Sequence, residues 1–197
     1  YVEVRYQFRT TNEVNFSNGE LERIRSIENS GCGIRVLVDG CWGFSSTHLL
    51  SKNALKDSLY EAISVAKILS GTKKNRVEGL ATSKLAKGLY KTKIKGDLSS
   101  IDIEKKVRIT KEAEEQARKY SPVIKFASCV YREMLDHKLI VNSDGAEVEI
   151  SDSKPEFNVT TVARKENESV TTSEGIGITG GWQDLFSKKD HIYYANL

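Results

Sequence analysis

The chain has 197 residues, of which 39% are hydrophobic and 29% are charged, and its formal net charge is +3. This length accommodates one or two domains with a substantial core, and the composition is ordinary for a soluble globular protein. No apolar run is long enough to cross a membrane, and the small net charge gives no general attraction to nucleic acid.

Alternating apolar and polar residues open the chain. In residues 1–9 this period of two predicts a half-buried strand, and Val14 and Phe16 continue the pattern in a second strand. Asn18-Gly19 is a favoured hairpin turn, and residues 21–27 return as a third strand. We therefore expect an antiparallel meander with one buried face.

A second hairpin is predicted within residues 31–47. Ile34, Val36 and Val38 place β-branched side chains at the core-facing positions, and Asp39-Gly40 suits a turn that needs two positive φ angles. Arg35 lies opposite that apolar face, so we expect its guanidinium to be exposed or paired across the sheet. Because Arg can hold a carboxylate through two hydrogen bonds, Arg35 is also a candidate clamp for a peptide carboxylate.

The returning strand of this hairpin, residues 41–46, carries two aromatic residues. Trp42 and Phe44 share one face, and we expect both to be substantially buried and to anchor the first helix. Gly43 between them leaves room for another backbone to approach. A polar corner follows at Ser45, Ser46 and Thr47.

Two amphipathic helices are predicted. Residues 51–70 carry an apolar stripe, with Ser51 as the N-cap and Gly71 as the C′ residue. Residues 103–120 carry a thinner stripe behind a cap at Asp102. Residues 71–100 between them lose this periodicity and are rich in lysine, and we interpret them as a solvated connection. The alternative is a basic surface for an anionic partner.

The rest of the chain is predicted to be rich in strands. Residues 123–131, 137–142, 146–150 and 157–163 have strand patterns, and Asp144-Gly145 provides a turn. Residues 168–181 either extend the sheet or form a Gly-rich loop. Their match to G-x-G-x-x-G, from Gly175 to Gly180, lacks the surrounding βαβ unit of a dinucleotide site, so we assign these glycines to a bend or a close backbone approach.

Candidate catalytic groups do not assemble into a recognisable constellation. The three histidines are dispersed and lack the spacing of metal ligands. His48 follows the hydroxyls of the polar corner, but adjacent strand residues point to opposite faces, so it is poorly placed to activate Thr47. The three cysteines form no Cys-x-x-C pair, which favours reduced structural thiols and a cytoplasmic location. The sequence predicts no catalytic residue and no metal ligand in this chain.

Two motifs resemble the TldD/PmbA family. Gly31-x-Gly-Ile-Arg-Val, which continues through a Gly turn into Gly-Phe-Ser-Ser-Thr47, is similar to the family's Gly-x-x-x-Arg-Val strand and Gly-Phe-Ala-Ser-Thr segment. Ile140-Val-Asn-Ser-Asp-Gly145 is similar to its Asn-Ser-Glu-Gly turn. The resemblance covers nearly the whole chain and corresponds to the family's N-terminal domain. Within that domain we expect a β-meander plus helix in residues 1–70, a lysine-rich connection in 71–100, and a helix plus a β-rich half in 101–197.

The resemblance implies a zinc-dependent metalloprotease, a family also associated with modulation of DNA gyrase. Its metal-binding His-Glu-x-x-x-His helix lies in a C-terminal domain, and no histidine of this chain is followed by Glu. We therefore expect that the catalytic domain and its zinc are absent from this chain and that the chain alone is inactive. The positions implied to contact peptide or to form the structural signature are Arg35, Trp42, Phe44, Ser45, Ser46, Thr47, Asn142 and Ser143.

Taken together, these patterns predict an α+β fold of antiparallel β-meanders and hairpins with two amphipathic helices packed on the sheets. By resemblance, the chain would support the catalytic domain, shape a peptide cleft and contribute to contacts in a homo- or heterodimer. Peptide binding by strand addition is physically reasonable, because a free sheet edge offers unpaired N–H and C=O groups. The alternatives are a pure scaffold or dimerisation domain and a nucleic-acid-binding module that uses residues 71–100.

Overall fold

The computed structural model describes residues 1–72, 75–82 and 84–196. The fold is α+β, as predicted. The strands are β1 (Val2–Ser17), β2 (Glu20–Val38), β3 (Cys41–Thr47), β4 (Lys87–Lys91), β5 (Ile124–Asn142), β6 (Glu147–Lys165) and β7 (Glu168–Gly177). The helices are α1 (Lys52–Thr72), α2 (Ile103–Lys119), α3 (Trp182–Leu185) and α4 (His191–Ala195), with a 3₁₀ turn at Leu98–Ser100. None of these helices is long and apolar enough to cross a membrane.

The strands form a sheet in the order β3-β2-β1-β5-β6-β4, and β7 also pairs with β6. The β2–β3 and β6–β7 pairs are antiparallel, as predicted, but β4 runs parallel to β6. Residues 71–100, interpreted above as a solvated connection without periodicity, therefore contain a regular strand, β4. All five residues of β4 are exposed, so no alternation of buried and exposed positions marks it. Lys73 and Lys74 of the same segment lie outside the described residues.

The long strands merge segments that were predicted to be separate. The structure has three strands before the first helix where five were expected, because β1 and β2 each continue through polar stretches. Likewise, residues 123–131 and 137–142 belong to the single strand β5, and residues 146–150 and 157–163 fall largely in β6. Polar residues can continue a strand when they find partners within the sheet: the amide of Asn12 donates to the Glu133 carboxylate at 2.8 Å.

Both predicted hairpin turns are confirmed. Asn18 and Gly19 have φ of 50° and 86°, and Asp39 and Gly40 have φ of 50° and 74°. Positive φ at both central residues is the geometry whose twist matches the flanking strands. These two turns fix the register of β1 with β2 and of β2 with β3.

The chain forms two compact units. The first comprises Tyr1–Arg9, Glu28–Lys91 and Asp136–Ser151, and we call it unit 1. Its core contains Cys32, Ile34 and Val36 of β2 packed with Ala62 and Ala66 of α1. Small residues face the sheet because the helix approaches closely: a Cβ on Gly43 would lie 1.9 Å from the carbonyl oxygen of Ala62. The predicted role of Gly43 in admitting another backbone is confirmed.

Helix α1 begins as the sequence predicts and ends later. The Ser51 hydroxyl accepts a hydrogen bond from the backbone N–H of Ala54 at 3.2 Å, which satisfies one of the free donors of the first turn. The helix continues to Thr72, so Gly71 lies inside it, and its assignment as the C′ residue is wrong. Leu69, which the periodicity places on the apolar stripe, is exposed near this end.

The second compact unit, unit 2, comprises Thr10–Ile27, Thr92–Leu135 and Asp152–Leu197. Its core combines apolar side chains of β1, β5 and β6 with the buried face of α2 and the short C-terminal helices. Tyr131 and Phe157 are fully buried there, and Trp182 packs edge-on against Tyr131 with ring centroids 5.6 Å apart. Asp102 stands at the N-cap of α2, as predicted, but its side chain makes no capping hydrogen bond.

Candidate functional site

The sheet of unit 1 has two chemically different faces. Val2 and Val4 of β1 pack with the apolar cluster under α1, on the same side as Ile34 and Val36. Successive side chains of a strand point to opposite faces, so the odd-numbered residues of β1 lie on the other side. That side carries charged and aromatic groups, and most of the candidate functional positions belong to it.

Glu3 is the centre of a polar network on this face. Its buried carboxylate accepts hydrogen bonds from the Tyr1 hydroxyl at 2.8 Å, from Arg5 Nε at 2.6 Å and from Arg35 Nη2 at 3.1 Å. Burial by itself would raise the pKa of Glu3, but these hydrogen bonds and the charge of Arg5 outweigh it and lower the pKa. Glu3 is therefore ionised and holds two guanidinium groups in place.

Arg35 is paired across the sheet, as the sequence predicts. Besides its contact with Glu3, its guanidinium carbon lies 5.2 Å from the centre of the Trp42 ring, a cation–π geometry. Trp42 in turn packs edge-on against Tyr1, with centroids 5.9 Å apart. The hydrogen bond to Glu3 raises the pKa of Arg35, which stays cationic. Its suggested role as a clamp for a peptide carboxylate remains a prediction.

The two motifs that resemble the family meet at the N-terminal strand. The Ser143 hydroxyl accepts a hydrogen bond from the Val2 N–H at 3.1 Å, and the Ser143 N–H donates to the Val2 carbonyl at 2.9 Å. The Asn142 amide donates to the Tyr1 hydroxyl at 3.3 Å, and its Oδ1 accepts from the N–H groups of Asp144 and Ala146. Tyr1 thus links Asn142 to the Glu3 network.

The polar corner of β3 divides between the two faces. The buried Ser45 hydroxyl donates to Glu61 of α1 at 2.6 Å, so Ser45 supports the packing of the helix. Thr47 Oγ1 accepts from the Leu49 N–H at 3.0 Å and shapes the turn after the strand. Ser46 is exposed on the polar face beside Phe44.

The expectation that Phe44 is substantially buried, and that the aromatic face of β3 anchors the first helix, is wrong. Trp42 is only half-buried, and Phe44 is 63% exposed, with its ring over Gly33 and 3.3 Å from the position of an added Cβ. The helix packs instead on the opposite face of β3, where Cys41, Gly43 and Ser45 are buried. Close approach of two backbones selects small residues, and the aromatic rings therefore point away from the helix.

A cavity of about 770 Å³ opens on the polar face, and we call it the arginine cavity. Its lining combines two arginines, several polar side chains, two glycines and an exposed aromatic ring. The lining residues are Arg5, Gln7, Arg9, Asn29, Ser30, Gly31, Cys32, Gly33, Phe44, Ser46, Thr47 and His48. It includes three of the predicted positions, Phe44, Ser46 and Thr47. A second cavity, of about 460 Å³, is lined by Arg35, Trp42, Gly43, Phe44 and Val65.

Arg9 is held at the arginine cavity by a buried acid. Its Nε and Nη2 donate to the two oxygens of Asp136 at 2.7 and 2.9 Å, and Gln7 donates to the same carboxylate at 2.7 Å. Burial opposes ionisation of Asp136, but the hydrogen bonds from Arg9 and Gln7 and the charge of Lys138 outweigh it and lower the pKa to about 2. Sequence reasoning missed Glu3, Arg5, Arg9 and Asp136, because alternating charged residues also mark an ordinary solvated strand face.

Unit 2 contains a separate buried polar network. The Glu133 carboxylate is fully buried and accepts hydrogen bonds from Lys106 Nζ at 2.8 Å, from Asn12 and from the Tyr131 hydroxyl. Lys106 also donates to the Leu98 carbonyl at 2.9 Å. Burial and the charge of Glu133 raise the pKa of Tyr131, so its hydroxyl remains a donor. Every group named here has a partner, which indicates a structural network.

The described part of the chain does not fit a catalytic zinc site. Among the residues that the structure describes, no group of three His, Cys, Asp or Glu side chains is placed to hold a metal ion. His48 follows β3, His137 lies within β5, and His191 starts α4 with its Nε2 2.8 Å from Glu112. Catalytic zinc takes about three protein ligands and an open position for water. Cys32, Cys41 and Cys129 are buried free thiols, and burial raises the pKa of Cys32 and Cys129.

The fold is α+β, and comparison with family models identifies the family to which the chain belongs. The model described as PmbA/TldA metallopeptidase domain 1 matches residues 2–69, and the model of the PmbA/TldA metallopeptidase central domain matches residues 96–195. The chain therefore belongs to the PmbA/TldD metallopeptidase family. The resemblance noted in residues 31–47 and 140–145 is thereby confirmed.

Curated relatives agree with this assignment. A metalloprotease of Methanocaldococcus jannaschii is 25% identical over 149 residues, which cover 76% of this chain and 32% of the relative. A metalloprotease of Archaeoglobus fulgidus is 28% identical over 132 residues, which cover 67% of this chain and 28% of the relative. The chain thus spans about a third of the length of these relatives.

Solved structures share the fold at lower identity. A candidate modulator of a DNA gyrase from Thermotoga maritima has a TM-score of 0.70 at 21% identity, covering 99% of this chain and 42% of that one. A candidate modulator of DNA gyrase from Bacteroides thetaiotaomicron has a TM-score of 0.76 at 16% identity, covering 98% and 44%. TldE of Thermococcus kodakarensis has a TM-score of 0.68 at 15% identity, covering 98% and 43%.

Proposed function

We propose that this chain is the peptide-binding, non-catalytic part of a metal-dependent peptidase and that it holds an extended peptide by strand addition to β3. Family membership supplies the class of reaction, since the relatives are metalloproteases. Because zinc does not fit the donor set of the described residues, we assign the zinc and its ligands to a separate C-terminal catalytic domain. The chain's share of its relatives' length, about a third, leaves room for such a domain.

The position of β3 is the observation that carries the peptide-binding role. β3 is the terminal strand of the sheet, paired with β2 on one side only. Among the described residues, no strand lies beyond its outer edge. An edge strand offers a row of N–H and C=O groups that an extended peptide can pair with, and alternate side chains then provide selectivity. Exposed Phe44 and Ser46 stand beside that edge and next to the arginine cavity.

Subunit contacts and location are further parts of the proposal. We assign the chain to a homo- or heterodimer with another family member, and the alternative is a scaffold or dimerisation domain without substrate contact. The three buried free thiols support a reducing, cytoplasmic compartment. A light-scattering measurement of mass against concentration tests the dimer, and a single mass equal to that of the monomer at all concentrations contradicts it.

Hydrogen exchange tests the strand addition directly. With a short peptide of alternating Thr and Val residues, we expect the backbone amides of Cys41–Thr47 to exchange more slowly, because outward N–H groups gain peptide carbonyl partners. β4 provides the matched control, since it is the terminal strand at the other end of the order and all of its residues are exposed. Equal protection of β3 and β4, or protection of neither, contradicts the proposal.

A further inference from the structure

We propose that the arginine cavity binds a carboxylate of the peptide, either an acidic side chain or the free C-terminus. This inference rests on the peptide-binding role proposed above and deepens it, because it names the chemical class of peptide that is preferred. The cavity lies in unit 1 and is lined by β1, β2 and β3, with Phe44 and Ser46 contributed by the same strand that offers its edge to the peptide.

The charge around the cavity favours an anion. Arg5 and Arg9 line it, and none of its lining residues is Asp or Glu. The acids that neutralise these arginines are buried: Glu3 is 5% exposed and Asp136 is 3% exposed. Glu3 is moreover shared between Arg5 and Arg35, one carboxylate for two guanidinium groups. A ligand in the cavity therefore contacts the guanidinium groups of Arg5 and Arg9 and not the buried carboxylates.

The two arginines are also held in place before a ligand arrives. Arg5 is anchored through Nε at 2.6 Å from Glu3, and its side chain is still 59% exposed. Arg9 is anchored by two hydrogen bonds to Asp136, and its side chain is 36% exposed. A guanidinium carries five N–H donors, so the anchored groups retain donors for a carboxylate. Binding costs less conformational entropy when such side chains are already ordered.

The remaining lining suits a peptide rather than an isolated inorganic anion. Gly31 exposes backbone of β2 to the cavity because it has no side chain, and the Phe44 ring covers Gly33 as an apolar platform. Ser46, Asn29 and Ser30 add neutral hydrogen-bonding groups. A peptide segment that packs on the ring and the glycines brings both apolar contact and a charged end to the same cavity.

Fluorescence anisotropy with three labelled peptides tests the inference. The peptides share alternating Thr and Val residues: one carries a central Glu and a C-terminal amide, one carries Gln and the amide, and one carries Gln and a free C-terminus. We expect at least one carboxylate peptide to bind about tenfold more tightly than the neutral peptide, since hydrogen bonds to charged groups are stronger than those between neutral groups. Comparison of the first and third peptides identifies the source of the carboxylate.

The double variant Arg5→Gln/Arg9→Gln removes the proposed recognition. Glu3 retains Arg35 and Asp136 retains Gln7 and Lys138, so the variant keeps a partner at each buried acid. We expect it to bind all three peptides with the affinity of the neutral one. Arg132→Gln is the matched control: Arg132 is 43% exposed and pairs with Glu13 at 2.8 Å, but it lies in unit 2 and outside the cavity. We expect this control to retain the preference.

The outcomes separate this inference from the proposed function. If all three peptides bind equally to the unaltered chain and protect β3, the carboxylate inference is wrong and the peptide-binding role stands. If none binds, both are wrong. If Arg132→Gln abolishes the preference as completely as the double variant, the effect is one of general charge and the inference is overturned. Displacement of the peptides by a single-stranded DNA oligonucleotide at lower concentration also overturns it, in favour of a nucleic acid ligand.

Discussion

Gly43 is the position where a single methyl group should disturb unit 1 most. A Cβ added there would lie 1.9 Å from the Ala62 carbonyl oxygen and 2.9 Å from the Ala66 nitrogen. An ordinary contact between carbon and oxygen is about 3.3 Å, so α1 has to retreat by about 1.4 Å. The clashing atoms are helix backbone, which cannot rotate away as a side chain can. Overpacking typically costs about 1–3 kcal/mol, and we expect Gly43→Ala to lower the free energy of unfolding by about 3 kcal/mol.

Urea unfolding followed by circular dichroism and tryptophan fluorescence measures this loss. Gly71→Ala is the matched control, because Gly71 lies in α1 and, apart from its chain neighbours and its own helix backbone, no atom of the described residues lies within 4 Å of its added Cβ. Replacing a helical Gly by Ala is favourable by about 0.5–1 kcal/mol, so the control should be unchanged or slightly more stable. A Gly43→Ala variant within about 0.5 kcal/mol of the unaltered chain would refute the close approach of α1 to β3.

Three further variants test the site and the buried charges. Phe44→Ala should cost at most about 1 kcal/mol in the same urea titration, because the ring is 63% exposed; a loss of 3 kcal/mol or more is the cost of a buried aromatic and would contradict this. Asp136 has a folded pKa of about 2, below its ordinary value, so it contributes stability above pH ~4 that is lost as the pH falls toward ~2. We expect Asp136 to account for about 2 kcal/mol of the stability lost over that window and Asp136→Asn to lack this component; parallel pH profiles for the two would show the expectation to be wrong. Lys106→Met leaves the fully buried Glu133 without its cation and should cost about 3–5 kcal/mol, whereas adding Glu133→Leu should restore much of the loss; a stable single variant would contradict the reasoning.

Local signals in the sequence predict the two hairpin turns and the Ser51 cap correctly. The sequence does not reveal which residues pair when they are far apart along the chain. Asn18-Gly19 and Asp39-Gly40 require positive φ whatever surrounds them, and Ser51 caps α1 through a residue three positions away. Gly43 was correctly identified as a point of close approach, because a missing side chain has few other uses in a strand.

The orientation of the aromatic strand shows where such reasoning fails. Alternation shows that Trp42 and Phe44 share a face but not which face the helix covers. Hydrophobicity favoured the aromatic face, whereas close packing of α1 required the small side chains of Cys41, Gly43 and Ser45. Steric fit therefore determines which face of β3 packs against α1, and the hydrophobic pattern does not.

The buried charges were missed for a different reason. Lys106 and Glu133 are 27 positions apart, and Glu3 and Arg35 are 32 apart. A charged residue without a known partner is ordinarily expected in solvent, and only the folded chain shows that each has one. The whole polar face of unit 1 depends on pairs of this kind.

The central position of β1 in the strand order has a consequence for the order of events during synthesis. β1 lies between β2 and β5, and contacts such as Arg9 with Asp136 join residues 127 positions apart. Topologies with such non-local contacts fold slowly. The roughly 100 residues that separate β1 from β5 take on the order of 5–20 s to synthesise. During this time the edge of β1 that pairs with β5 has no partner strand. Charged side chains on an unpaired strand disfavour its pairing with other chains, so we expect Arg5 and Arg9 to limit such pairing during this interval.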